Sequence, residues 1–463
     1  MSAALRVAVV GAGPAGAYAA ERLVERPGVE VELFERLPTP WGLVRAGVAP
    51  DHPETKDVTQ AFQWTASDRA VRMHLNVEVG RDVSAEDLAA HHHAVIYTVG
   101  APTDRRLGIP GEDLPGSHAS TALVAWYNGH PGARDLGIDL SGTRAVVVGN
   151  GNVALDVARI LTLPVEVLRR TDIADHALDV LGDSAVEEVV VLGRRGAAQA
   201  AFTTPELLAL SHLPGVDVRV DAEPSELDDG SRATTPGRPP DYAVGLKLDL
   251  LRALSVREPT GAPRRIVLRF LASPVELVGD TAVERLRIAR NELVQDEDGR
   301  VGAQPTDRID ELEAGLVLRS IGYRGEALPG VPFDPTAGRI PNDRGAVVDP
   351  ATGKTVPGLF TAGWIKRGPT GVIGTNKVCA RETVDRLLAD HAAGRLPAPR
   401  GGRRELDELL RRQVPEALGL DHWRRLDEHE RRTGAPQGRP RVKVTEVDEM
   451  LRVAHAPESA ASR

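Results

Sequence analysis

Two glycine-rich turns, each set between a short apolar strand and a helix, constrain this chain more than any other feature. The first is VAVVGAGPAGAYAA (residues 7–20), where Gly11, Gly13 and Gly16 fit GxGxxG. The second is AVVVGNGNVALDVARIL (residues 145–161), where Gly149, Gly151 and Ala154 fit GxGxxA. In this pattern the first glycine permits a tight turn and the second lets a pyrophosphate approach the backbone. The third small residue lets the helix pack closely on the sheet. The helix N-terminus then faces the phosphates. A lone glycine fingerprint is weak evidence, but strand, helix and a correctly placed second strand make it a dinucleotide site. Two such sites predict an α/β chain with two Rossmann-like dinucleotide-binding domains.

The residues after each motif tell the two sites apart. The strand pattern Glu30–Phe34 ends at Glu35, a carboxylate placed to bond a ribose, which favours FAD or NAD over NADP. The strand pattern Val189–Leu192 ends instead in Gly193-Arg194-Arg195. Two guanidiniums suit a 2′-phosphate, so this site is expected to prefer NADP. The stretch Thr162–Glu187 between motif and strand is long for one βαβ unit and implies an insertion. A flavin with a nicotinamide is the economical pairing of two dinucleotides, a mobile hydride donor and a fixed acceptor.

Other apolar runs (residues 6–10, 94–99, 316–321 and 359–362) read as strands buried on both faces of parallel sheets. Arg264–Arg290 alternates and reads as an antiparallel layer. Leu359–Lys377 (LFTAGWIKRGPTGVIGTNK) reads as strand, glycine turn and a helix starting near Gly371. The amides of Gly371, Val372 and Ile373 would there stabilise negative charge on a reduced flavin. Its distance from the first motif predicts a chain that returns to complete the first domain, with the middle domain inserted. The proline-rich segment Leu37–Lys56 leaves the ribose end of the first site and could wrap the rest of its ligand. Taken alone, His52 in this loop reads as a surface residue. His91–His93 reads as a solvated loop, Ser225–Asp241 as a surface loop or mobile insertion, Leu406–Gly419 as helical, and His455–Arg463 as a frayed tail.

Composition narrows the functional classes. The 463 residues carry 57 basic and 66 acidic side chains, a net charge of −9, which argues against wholesale nucleic-acid binding. The single cysteine, Cys379, excludes a disulfide framework, a CxxC redox pair and an iron–sulfur cluster ligated within the chain. It reads as a buried structural thiol on a helix. No apolar run is long enough to span a membrane. The N-terminus shows no signal-peptide layout, so the expected location is the cytoplasm. No metal site is expected, and a monomer is the default.

Taken together, PTPWGLVRAGVAPDHP, VVVGNGNVALDVARIL, LGRRG followed by AAFTTPEL, and GWIKRGPTGVIGTNK resemble the adrenodoxin-reductase type of ferredoxin–NADP reductase. The likeness runs to GRPRVKV (Gly438–Val444) and is weakest at Ser225–Asp241 and Leu387–Leu418. It implies a discontinuous FAD-binding domain (1–105 and 332–463, the second part with a C-terminal helical segment) around an inserted NADP-binding domain (106–331). It also implies a flavoprotein that passes hydride from NADPH to FAD, then single electrons to a ferredoxin-type iron–sulfur protein, reversibly. In some members that acceptor serves a cytochrome P450. By motif, FAD would be held by Gly11, Gly13, Ala15, Gly16, Glu35, Gly42, Leu43, Val79, Trp364, Gly371, Val372 and Ile373. NADP contacts would fall on Arg105, Asn150, Gly151, Asn152, Val153, Arg194, Arg195 and Glu206, with Gly371 near the nicotinamide. His52 matches the family's active-site histidine, linked to proton movement. Some relatives carry a second acid where this chain has Ala209, which leaves Asp156 as the candidate catalytic acid.

Two other readings stay open from sequence. An NADPH-dependent quinone or small-acceptor reductase would turn over quickly without any iron–sulfur protein. A flavin- and NADP-binding redox sensor would hold both nucleotides but transfer hydride slowly. Against a monooxygenase stands the absence of an FxGxxxHxxxW string.

Overall fold

The computed structural model describes residues 4–228 and 242–456. By internal contacts these fall into two units. One comprises the chain up to Thr103, Asn128–Pro131 and everything from Tyr323; the other comprises Asp104–Tyr127 and Gly132–Gly322.

The first unit is built on a seven-stranded sheet. Its strand order is 342–343, 346–348, 355–361, 94–97, 5–10, 29–35 and 71–75. The five strands from 355–361 to 71–75 are parallel. The sequence VEVELFE at Val29–Glu35 and LRVAVV at Leu5–Val10 alternate between two buried faces. Val7, Val9, Leu33 and Ile96 point into one core, and Ala8, Val10, Phe34 and Tyr97 into the other. Such double burial explains the near-continuous apolar runs. The Pro14–Val24 helix presents Ala17, Ala20 and Leu23 to the first of these cores. From Leu5–Val10 the chain steps outward twice, then jumps to Ala94–Tyr97 on the other side. That reversal makes a crevice at the carboxyl ends of Leu5–Val10 and Ala94–Tyr97, where an open α/β sheet binds ligands.

The second unit repeats the plan. Its sheet runs 117–119, 316–319, 144–148, 188–192, 264–269, 216–221, with every pairing parallel. Its reversal lies between Arg144–Val148 and Leu316–Arg319. The stretch expected to be antiparallel divides. Arg264–Arg269 joins the parallel sheet between its neighbours, because Ile266 and Leu268 are needed in the core on one face. Only Ala272–Val278, Arg285–Gln295 and Val301–Glu313 form the antiparallel layer. That layer places Leu277, Leu286 and Ile288 over Val146, Val190 and Val317. The expected insertion after the second motif consists of two helices, Val165–Leu168 and Asp175–Gly182.

Several sequence expectations need correction. The chain leaves the second unit at Gly322 rather than after residue 331, since Leu328 and Val331 pack on the core of the first sheet. His91–His93 is not a solvated loop. His91 ends a helix and His92 is buried with Nδ1 2.8 Å from Leu88 O, and burial pushes its imidazole down to about 4. Pro224–Asp228 is a short helix; residues 229–241 of the expected loop and 457–463 of the tail lie outside the described residues. Cys379 is buried on the Ile373–Ala392 helix.

The C-terminal helices are tied to the first unit by charge. Arg45 forms a two-pronged pair with Glu430 (2.9 and 2.5 Å), and Arg441 reaches Glu430 at 3.0 Å and Asp427 at 2.6 Å. Glu430 is fully buried. Burial alone would push its carboxyl up, but Arg45 and Arg441 hold it below the ordinary carboxylate range. Glu430→Gln leaves the buried Arg45 guanidinium without its carboxylate, while Arg441 keeps Asp427, and is expected to cost about 3 kcal/mol of unfolding free energy in urea titration. The pH sign follows from the lowered value. The contribution is fully present above the unfolded-state value of about 4.3 and is lost as pH falls through the folded one. Acid denaturation of the wild type should therefore be steeper below about pH 4 than that of Glu430→Gln.

Candidate functional site

In the first unit the glycine turn is shaped by the strand end across the reversal. Gly11 has φ +102°, and a Cβ there would stand 2.7 Å from Thr98 O. A Cβ on Gly16 would lie 2.0 Å from Gly11 O, so both positions exclude any other residue. Thr98 completes the turn: its Oγ1 donates to Val10 O and Gly11 O, both at 2.8 Å. The second glycine is different. At Gly13 the nearest atom to a Cβ would be Gly42 Cα at 3.9 Å, which leaves the backbone open to a ligand. No side chain caps the helix that starts at Pro14, so its first amides remain available to an anion.

Glu35 sits at the end of its strand as expected, but its carboxylate already has protein partners. Ala12 N donates to Oε2 at 2.9 Å and Leu37 N to Oε1 at 3.2 Å. Burial pushes this carboxyl up, against the pull of those amides. Two oxygens carry up to four lone-pair sites, so acceptor capacity remains for hydroxyl donors. Trp41, in the left-handed region at φ +79°, donates its N–H to Ala12 O at 2.9 Å. Gly42 follows at φ +49°, and a Cβ there would stand 3.0 Å from Gly13 Cα. Leu43 opens a one-turn helix. The loop continues to His52, which precedes the Pro53–Lys56 turn. Val79 is buried beyond Val77, whose N–H bonds Glu35 O at 2.9 Å.

The return of the chain brings distant residues to the same turn. Ala362 N bonds Tyr97 O at 3.0 Å, and a Cβ on Gly363 would stand 2.6 Å from the Ala15 Cβ. Trp364 therefore follows directly on a contact with the first motif. Its indole Nε1 is buried without a hydrogen-bond partner among the described residues. The last helix of this group starts at Ile373, two residues later than expected. Gly371 precedes it at φ +80°, and Val372 N is occupied by Thr375 Oγ1 at 3.2 Å. Of the three amides expected to face a flavin, that of Val372 thus has a partner already.

Sequence reasoning missed one anchor here. Asn128, in the short excursion Asn128–Pro131, is buried. Its Oδ1 accepts from Lys56 at 3.3 Å and from Lys443 at 3.2 Å, and Lys443 also reaches Arg45 O at 3.2 Å. His130 in the same excursion is pushed down to about 4, by burial and then by Arg36. Nothing in the local pattern YNGHPG signals this.

The second unit holds the second cradle. Gly149 has φ +119°, and a Cβ would come within 2.1 Å of Ser320 O. Gly151 meets nothing within 4 Å, so this glycine reads as space kept for a ligand. Asn150 packs on Gly193 and accepts Phe202 N on its carbonyl at 2.9 Å, while Asn152 Oδ1 accepts Thr203 N at 2.8 Å. Asn152 begins the helix and Val153 is its second residue. Arg194 and Arg195 follow the strand end, and Arg195 is disfavoured as a cation by burial and then by Arg194. A phosphate dianion would relieve both guanidiniums. Arg105 is exposed, with its N–H on Gly322 O at 3.0 Å.

Asp156 does not stand alone. Its Oδ1 accepts from Arg159 at 2.7 Å, and Glu206 lies 3.9 Å from the same guanidinium. Arg159 is buried. Nothing in the pattern VALDVARIL marks this arginine as buried. Ala209 is exposed on the Thr204–Leu210 helix. His52 belongs to the first unit, and Asp156 and Glu206 to the second.

Two open glycine turns at two sheet reversals, one followed by a carboxylate and one by paired guanidiniums, are the layout of the two-dinucleotide class of oxidoreductases. The model of the pyridine nucleotide-disulphide oxidoreductase family matches residues 5–235. The chain is 47% identical to the NADPH-ferredoxin reductase FprA of Mycobacterium leprae, over 97% of this chain and 98% of that protein. It is 41% identical to the mitochondrial NADPH:adrenodoxin oxidoreductase of Salvelinus fontinalis, covering 97% and 91%. The solved structure of Mycobacterium tuberculosis FprA in complex with NADPH superposes with a TM-score of 0.91 at 46% identity, covering 98% of this chain and 100% of that one. The chain belongs to the adrenodoxin-reductase and FprA type of NADPH–ferredoxin reductases, within that oxidoreductase family. Among the described residues no helix is long and apolar enough to cross a membrane.

The contrast between the two glycines of the second cradle is testable. Gly149→Ala should destabilise the protein by about 3 kcal/mol through overpacking against Ser320. Gly151→Ala should leave the melting temperature unchanged yet weaken NADP+ binding about tenfold, measured by calorimetric titration.

Proposed function

We propose that the chain catalyses electron transfer from NADPH through FAD to a ferredoxin-type iron–sulfur protein, with FAD in the first unit and NADP in the second. The observation that carries this assignment is the pair of opposite ribose-reading ends: Glu35 on the first cradle, Arg194 and Arg195 on the second. In this reading the discontinuous unit is the FAD-binding domain and the unit with the arginine pair is an inserted NADP-binding domain.

The residues present fit these groups. Gly13 and Gly151 leave room beside uncapped helix starts, and the buried, unpartnered indole N–H of Trp364 suits a polar atom of a bound ligand. FAD, when bound, supplies an acceptor for hydride that can release electrons one at a time. The chain's part is to bind and orient. Gly11, Gly13, Ala15 and Gly16 cradle a pyrophosphate, and Glu35 accepts from ribose hydroxyls. Gly42, Leu43 and Val79 line the loop side, while Trp364 and Gly371–Ile373 close the return side. For NADPH, Asn150–Val153 hold the pyrophosphate and Arg194 and Arg195 grip the 2′-phosphate, with Arg105 and Glu206 at the margin. Ordering both ligands in this way can supply a barrier reduction of up to about 7–11 kcal/mol in the best cases. His52 is the candidate for moving a proton at its imidazole. Asp156, already paired with Arg159, serves better as a fixed charge than as a proton carrier, which revises its expected catalytic role.

Anaerobic stopped-flow mixing tests the assignment. The flavin absorbance should bleach quickly with NADPH and slowly with NADH. Arg194→Ala/Arg195→Ala should raise KM for NADPH about a hundredfold, at roughly 1.5 kcal/mol per charge-assisted contact, with little change for NADH. Equal losses with both nucleotides would remove the 2′-phosphate role. A flavin that neither nucleotide bleaches would make the protein a sensor rather than a reductase.

A further inference from the structure

The turn Gly193-Arg194-Arg195 is held through all three of its carbonyls by the antiparallel layer and by Leu271, which leads into it. Ala272 N bonds Gly193 O at 3.0 Å and Leu271 N bonds Arg195 O at 3.1 Å. The middle carbonyl is reached by a side chain: Asn291 Nδ2 donates to Arg194 O at 2.6 Å. The same amide nitrogen donates to Ser273 Oγ at 2.8 Å, and Asn291 N bonds Leu271 O at 2.7 Å. Because a backbone carbonyl can only accept, the Asn291 amide must present its nitrogen to Arg194.

Three features set this residue apart from ordinary packing. Asn291 is 2% exposed. It sits where the pairing between Arg285–Gln295 and Val301–Glu313 breaks register, after Ala289, so the strand bends at this point. Its Oδ1 is buried with no hydrogen-bond partner among the described residues. An unsatisfied buried amide oxygen costs roughly 1–3 kcal/mol, a penalty that an apolar residue at this site would avoid. The donor side of the amide has a use that outweighs it. Arg194 is exposed, so without the clasp its carbonyl would be free to turn toward water, and the peptide linking the two arginines would turn with it.

We infer that Asn291 is a positioning residue for nucleotide selectivity: its buried amide fixes the Arg194 carbonyl and so sets the direction in which the two guanidiniums leave the turn. This rests on the reading of Arg194 and Arg195 as the 2′-phosphate grip. Reading a phosphate with two planar guanidiniums demands placement within about half an ångström, which a single freely rotating peptide would forfeit. The clasp also gives the antiparallel layer a task that its strand pattern does not reveal. It links the selectivity turn to the core through Leu286 and Ile288 of the same strand.

The test uses the flavin-loaded protein. Asn291→Leu keeps the branched shape and the number of side-chain heavy atoms and removes the donor. KM for NADPH should rise about tenfold while KM for NADH moves less than about twofold, as expected for loss of one aligned charge-assisted contact. Calorimetric titration should show weaker 2′-AMP binding with 5′-AMP binding unchanged. A merely structural role would move both nucleotides together, and that result, or an unchanged ratio, overturns the inference. Arg194→Ala/Arg195→Ala is measured alongside. If it abolishes discrimination while Asn291→Leu leaves it intact, the positioning role alone falls. If the double variant still discriminates, the underlying reading of the arginine pair falls and takes this inference with it. Should Asn291→Leu fail to fold, Ser273→Ala decides, since it removes only the hydroxyl that orients the amide. A smaller drop in the NADPH preference supports the clasp, and no drop overturns it.

Discussion

The architecture depends on one steric demand made twice: a glycine turn must lie against the backbone at the end of the strand across the sheet reversal. Gly11 abuts Thr98 O and Gly149 abuts Ser320 O. The equivalent amides also bond alike, Thr98 N to Val10 O at 2.8 Å and Ser320 N to Val148 O at 2.7 Å. A side chain at either glycine would force these strands apart and disrupt the crevice at which an open α/β sheet binds ligands. Each cradle thus requires a strand from across the sheet reversal, Ala94–Tyr97 in one unit and Leu316–Arg319 in the other.

The same demand explains the discontinuity of the first unit. Strand Thr355–Thr361 extends the sheet beyond Ala94–Tyr97, and the residues after it press on Ala15. The first cradle is therefore finished only after the whole second unit has been made. The buried charges around Glu430 hold the loop that bears Gly42 and His52 through Arg45. Arg45 is held by its guanidinium and its carbonyl, and Asn128 by two of the chain's few lysines. Paired buried charges contribute little net stability over apolar packing, but they tolerate only one arrangement. That property suits a loop whose main chain must face a ligand.

Much of this was legible in the residues. The strand–glycine–helix units, the carboxylate and arginine endings, and the return of the chain at Leu359 are local patterns, because periodicity and glycine spacing report directly on neighbouring backbone. What escaped was long-range. Asn128 between two lysines and the clasp from Asn291 are polar groups whose partners lie far along the chain, and the burial of Arg159 and His92 is imposed by elements packed over their helices. Arg264–Arg269 read as antiparallel because an isolated alternating run does not say which neighbours it will have. The helix start at Ile373 moved because Thr375 satisfies Val372 N, a side-chain choice that no spacing rule records.

By itself the sequence determined that two strand–glycine–helix turns would form and which charge would stand at the end of the strand that follows each. Those properties reside in backbone freedom at glycine and in charge at a strand end, and both are written residue by residue. Only the tertiary structure decided how the cradles are finished: which carbonyl abuts each glycine, which amides are already taken, and which buried partner orients Arg194. The physical reason is that desolvated polar groups must find partners, and for a chain of this length those partners are set by the packing of whole sheets and not by neighbours in sequence.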